Sequence, residues 1–402
     1  TEVLSNLQKA VSLHQSGKLQ QAKNIYQQIL EMEPENADAL HLLGLISHQL
    51  GQSETAITLI KQALGISPNQ LDFLRNLANI LREVGDFQQA VPIYKQVIQL
   101  QTQPAETYNH LGMCLHKLNR FQQATQAYYH AIQLNPEYDQ AYSNLAAALI
   151  KMEKFDEALD ACLRTIEISP ENFTAYCNLG NMYKEQGQFE EAIQSYQKAV
   201  SIQPNIAEIH SNLGDAFKEL NRFEEAMQAY QQAIRIEPNI AQVHASMASI
   251  LYQESVELEG NYDSSKAKNG NSEFNDMRGD SMKSSSYLSK AIQHYQQAIK
   301  IDPDYSAEIY NNLGLALSKK NHFQQAVQAY QKAITIKPDY AEAHNNLGLA
   351  FLLTGDFGNG WEEYDWRLKC DIFEIHDRSF PQPYWKGSDI GEKAILIWGE
   401  QG

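Results

Sequence analysis

Six asparagines of this 402-residue chain, Asn76, Asn144, Asn178, Asn212, Asn312 and Asn346, occupy one place in a repeating frame. A carboxamide carries one acceptor oxygen and two N–H donors, so it can pair with both the N–H and the C=O of an extended peptide whatever its side chains. Asparagine is a mediocre helix former, and its recurrence within helical stretches is not explained by propensity. Gln8, Leu42, His110 and Ser246 fill the same place elsewhere. Other chemistry is sparse. Cys114, Cys162, Cys177 and Cys370 show neither CxxC spacing nor disulfide density, which reads as packed thiols in a reducing compartment. His210, His244 and His344 have no HExxH-like companion and read as packing residues. His376 and Glu400 lack a partner group at a readable spacing. No catalytic residue, cofactor or metal site is assigned.

The frame that positions the amides is visible in "YNNLGLAL" at 310–317 and "HNNLGLAF" at 344–351, which are 34 residues apart. Units start at 3, 37, 71, 105, 139, 173, 207, 241, 307 and 341, and all but one interval is 34. Apolar residues at unit positions 4, 7, 8 and 11, then small or aromatic ones at 20, 24 and 27, predict two helices joined by a turn. In the unit from 173, Gly180 and Ala192 let the helices approach while Tyr176, Leu179, Tyr183 and Tyr196 fill the flanks. Pro204 lacks an amide donor and ends the second helix. At about 100° per residue the asparagines, at position 6, point away from this apolar stripe and are expected to face outward.

The spacing resembles the tetratricopeptide repeat (TPR), over residues 3 to about 369. That resemblance implies an all-α fold, a superhelical solenoid whose first helices line the inner face, and a protein-interaction role. One hairpin cannot bury its apolar faces alone, so stability must come from stacking. The asparagine column is similar to the ladder in the repeat arm of O-GlcNAc transferases, which implies that the six amides hold the backbone of an extended polypeptide. First helices about 8–10 Å apart would meet every third residue of a chain advancing about 3.3 Å per residue. Arg82, His116, Lys184 and Lys218, all at position 12, read either as contacts for an acidic segment or as a solvated face.

The eighth unit is interrupted at about 255–286 by a stretch rich in Ser, Asn, Gly and Asp, for which disorder is expected. Its readings are a modifiable segment, a lid, or a tolerated insertion. After 369 the period ends. "GWEEYDWR", "FPQPYWKG" and "ILIWGEQG" together resemble the junction between tetratricopeptide repeats and a glycosyltransferase-like α/β domain, so 370–402 is expected to be a linker and the truncated start of such a domain. The alternative function is therefore the substrate-recognition arm of an O-GlcNAc-transferase-like enzyme, with no enzyme activity on this chain. A formal charge of −17 disfavours nucleic acid and anionic membranes. No apolar run approaches the roughly 18 residues of a membrane span, and a cytoplasmic location is expected.

Overall fold

A computed structural model describes residues 2–370 apart from 101, 103, 104 and 269–273, with side-chain surroundings for all but 260–281. The chain forms two compact units, Thr1–Pro238 and Asn239–Gly402. The first contains seven helical hairpins: α1 (Glu2–Gln15) with α2 (Leu19–Met32), α3 (Ala37–Gln49) with α4 (Ser53–Ile66), α5 (Leu71–Glu83) with α6 (Phe87–Leu100), α7 (Ala105–Lys117) with α8 (Phe121–Leu134), α9 (Asp139–Lys151) with α10 (Phe155–Ile168), α11 (Phe173–Glu185) with α12 (Phe189–Ile202), and α13 (Ala207–Glu219) with α14 (Phe223–Ile236). The second holds α15 (Ala241–Lys268) with α16 (Phe274–Ile301), α17 (Ala307–Lys319) with α18 (Phe323–Ile336), and α19 (Ala341–Thr354) with α20 (Phe357–Tyr364), followed by a 3-10 turn, Asp365–Lys369. Within each unit the second helix of a hairpin packs on the first helix of the next. The described residues are thus all helix and turn, as the period predicts, and the α/β start expected at 370–402 lies, beyond Cys370, outside them.

Nine of the ten hairpins close by the same device. Position 15 is left-handed at Gly17, Gly51, Gly85, Gly187 and Gly355, and also at Asn119, Glu153, Asn221 and Asn321. Glycine adopts that conformation without steric cost and asparagine tolerates it. Inside the hairpins, position 8 meets position 24 so closely that a Cβ on Gly180 would lie 2.5 Å from Cε1 of Tyr196. The buried tyrosine hydroxyl then donates to position 9, as in Tyr94 to Asn79 (2.8 Å) and Tyr196 to Asn181 (2.7 Å). In the first hairpin position 9 is Val11, and the buried Tyr26 hydroxyl has no partner.

The eighth hairpin is longer than the others, and 269–273, within the stretch expected to be disordered, lie outside the described residues. Its first helix runs on to Lys268 and its second begins at Phe274. Position 15 of this repeat is Ser255, which remains in the helix, and 255–286 contains no proline to end it. Ser255 and Ser284 are buried at the base, where Ser284 Oγ donates to the Ser255 carbonyl (3.0 Å) and lies 2.8 Å from Glu259 Oε1. Lys319 pairs with Glu259 at 2.8 Å. Small polar side chains and this ion pair take the place of an apolar seam.

Candidate functional site: the amide column

The six predicted asparagines all lie on first helices, at the register position expected. Their orientation differs from the sequence reading. None is fully exposed: Asn178 is buried, and Asn76, Asn144, Asn212, Asn312 and Asn346 are half-buried. First helices of successive repeats lie side by side, so the direction away from the hairpin's own seam points toward the preceding first helix instead of into water.

Across that gap the amides bond to position 5 of the preceding repeat. Asn144 Nδ2 donates to Asn109 Oδ1 at 2.9 Å, and Asn346 Nδ2 to Asn311 Oδ1 at 2.9 Å. Asn178 Nδ2 donates to the carbonyl of Ser143 (2.8 Å) and reaches its Oγ (3.3 Å). Asn76 Nδ2 lies 2.9 Å from Nε2 of His41, which stacks on Phe73 with centroids 4.2 Å apart. Burial pulls the His41 pKa down to about 4 against the opposing pull of Asp38 and Asp72, so the ring is neutral and its nitrogen can accept. Asn212 uses its other end: Oδ1 accepts from Lys184 Nζ at 3.3 Å, which places the position-12 cation beside the next repeat's amide. Asn312 sits at the same register in α17.

Position 5 was missed by the sequence reading. Asn109 is almost fully buried, and while its oxygen takes the bond from Asn144 its Nδ2 donates to the Tyr138 hydroxyl at 3.3 Å. The available signal was a polar residue at position 5, His41, Asn109, Ser143 or Asn311, before four of the six position-6 asparagines; Cys177 and Ala245 precede the other two. Elsewhere in the column, His110 has its pKa lowered, chiefly by burial, and packs near Tyr94.

The remaining candidates are structural. At position 4, His210 and His344 are buried with Nε2 at 2.8 and 3.0 Å from the carbonyls of Pro204 and Pro338, and Tyr310 donates to that of Pro303 at 2.8 Å. His244 faces His294, Nδ1 to Nδ1 at 3.0 Å. Burial pushes the Cys114 thiol up to about 11 and those of Cys162 and Cys177 to about 12, so they are neutral packing groups. Among the described residues no cluster of three or more His, Cys, Asp or Glu could hold a metal, and no helix is long and apolar enough to cross a membrane.

Models of the family described as TPR repeat match 180–220, 214–254, 279–321 and 317–355, and models described as tetratricopeptide repeat match 13–80, 69–137, 140–172 and 161–194. The chain belongs to the tetratricopeptide-repeat family. A tetratricopeptide repeat protein from Parabacteroides merdae ATCC 43184 shares the fold, with a TM-score of 0.52 and 18% identity over 60% of this chain and 95% of that one. A MamA crystal structure is 30% identical over 40% of this chain and 95% of its own, with a TM-score of 0.38. MamA from Desulfovibrio magneticus RS-1 is 23% identical over 42% and 95%, also at 0.38. No curated protein matches the chain. Tetratricopeptide repeats imply protein partners and a non-catalytic role for the matched residues. The family-model matches end at 355, and the start of a glycosyltransferase-like domain expected at 370–402 lies, beyond Cys370, outside the described residues.

Proposed function

We propose that residues 3–369 bind extended segments of partner proteins along the face formed by the first helices, with the position-6 amides contacting the peptide backbone. The observation that carries this reading is the unbroken run Asn144, Asn178 and Asn212 in three consecutive repeats of one compact unit. Each of the first two amides spends one N–H on the preceding repeat, which fixes its plane. A fixed amide loses less rotamer freedom when it takes a further partner. Lys184 beside Asn212 adds a cation to the same strip, so segments with a carboxylate fit best. Residues 370–402 are read as the start of a further α/β domain.

The test uses extended peptides selected on the native chain from a random display library. Each neutral hydrogen bond contributes about 0.5–1.5 kcal/mol, so the triple variant Asn144→Ala, Asn178→Ala, Asn212→Ala is expected to bind at least about tenfold more weakly. Asn144 and Asn178 also join repeats, and Asn212→Ala alone supplies the control: its binding should fall while its Tm stays within about a degree of native, the usual outcome at a partly exposed site. Full affinity with a lowered Tm in the triple variant would leave the column a structural fastening only.

A further inference from the structure

The fixed register lets every position of the tenth repeat be compared with its counterparts. Phenylalanine at position 17 is half-buried at Phe87, Phe121, Phe155, Phe189, Phe223 and Phe323, whereas Phe357 is 62% exposed. Position 21 is buried at Val91, Thr125 and Ile193, whereas Trp361 is 59% exposed. Position 28 is half-buried at Ile98, Ile132 and Ile166, whereas Leu368 is 42% exposed. Position 13 is Gln, Glu or Lys in every other repeat, but here it is Leu353, 68% exposed. Within each unit the second helix of an earlier hairpin packs against the first helix of the following repeat, a neighbour that α20 lacks among the described residues.

A second observation concerns polar bonding. At position 5, Asn109 and Asn311 accept from the asparagine of the following repeat. Asn345, at the same position, has its Oδ1 buried without a donor. The last repeat is thus open on one side both in its apolar surface and in its hydrogen bonding. Large apolar side chains exposed on one repeat, where its counterparts bury theirs, mark an interaction surface.

We propose that residues 371–402 of this same chain cover that face. The segment leaves the 3-10 turn at Cys370, two residues beyond Leu368, so its attachment lies at the edge of the open surface. It carries Phe380, Tyr384 and Trp385 and the run "AILIW" at 394–398, an apolar content suited to Leu353, Phe357 and Trp361. At about 3.3 Å per extended residue, ten residues span more than two packed helices. This contact is independent of the amide column and does not require it to bind peptide.

The experiment places a photo-crosslinking side chain on the face in the full 402-residue chain, as Trp361→p-benzoylphenylalanine, and irradiates a mixture of isotope-labelled and unlabelled protein. The expected product joins position 361 to residues within 371–402 of the same molecule. Adducts between labelled and unlabelled chains would show that a second copy occupies the face, and adducts elsewhere, or none, would leave the segment unattached; each of these results overturns the proposal. Hydrogen exchange gives a second readout. Leu353 and Trp361 are exposed, so Leu353→Asp with Trp361→Asp leaves the repeat's core intact. Amides of 371–402 should exchange at least about tenfold faster in that variant than in the native chain, and equal rates refute the contact.

Discussion

A single proton on His41 decides whether the second and third repeats keep their amide link. The imidazole is nearly fully buried, and the nitrogen facing Asn76 Nδ2 must be unprotonated to accept. Its folded pKa, lowered to about 4 by burial, lies below the ordinary 6.5. The unfolded chain therefore takes up the proton first, and the stability held above pH 6.5 is lost as the pH falls toward 4. His41→Asn would recreate the pairing seen between Asn109 and Asn144 and remove that titration. Tm measured from pH 7 to 4 is expected to fall less steeply in this variant than in the native protein, and parallel curves would assign the acid sensitivity elsewhere. The identity of the amides was legible in the sequence because the period fixes their register. Their partners were not, because an angle computed on one isolated helix carries no information about the helix beside it.

At the scale of the element, hairpin ends were the most legible feature, since glycine or asparagine recurs at position 15. Glu153 is the exception, a charged residue held at a φ of 57°. A residue with a Cβ pays roughly 1–2 kcal/mol there, so Glu153→Gly should raise stability by about 1 kcal/mol in denaturant titration, after the greater flexibility of an unfolded glycine is deducted. No gain would mean that Glu153 has a compensating contact. In the eighth repeat the first helix continues past Ser255 to Lys268 and the second begins at Phe274, while 269–273, within the stretch for which composition predicts disorder, lie outside the described residues. Polar composition measures how much apolar surface a segment can bury; it does not state which dihedral angles are forbidden to it.

At the scale of the molecule, each repeat touches chiefly its sequence neighbours within its own compact unit, so the stability of a unit is close to a sum of repeat and interface terms. Gly180 tests this. The third repeat places Ala78 opposite Tyr94 at the same register, which shows that one methyl can be absorbed, but a β-branched side chain against the Tyr196 ring exceeds the space. Gly180→Val is expected to cost about 1–3 kcal/mol. Hydrogen exchange should quicken in the sixth repeat and its immediate neighbours and stay unchanged in the first. A uniform increase would indicate cooperativity over the entire unit. Fold class was readable from the sequence because ten copies repeat the same packing instructions. The partner is not encoded in that way, since the residues that would select it vary from copy to copy.

The glycine-to-tyrosine contact at positions 8 and 24 also bears on how such a chain changes length. Gly112 with Tyr128, Gly180 with Tyr196, Gly214 with Tyr230 and Gly314 with Tyr330 are interchangeable sockets and plugs. Duplicating or excising 34 residues at any of these hairpins preserves this contact, so recombination within the coding sequence can extend or shorten the binding strip without inventing a new hairpin core.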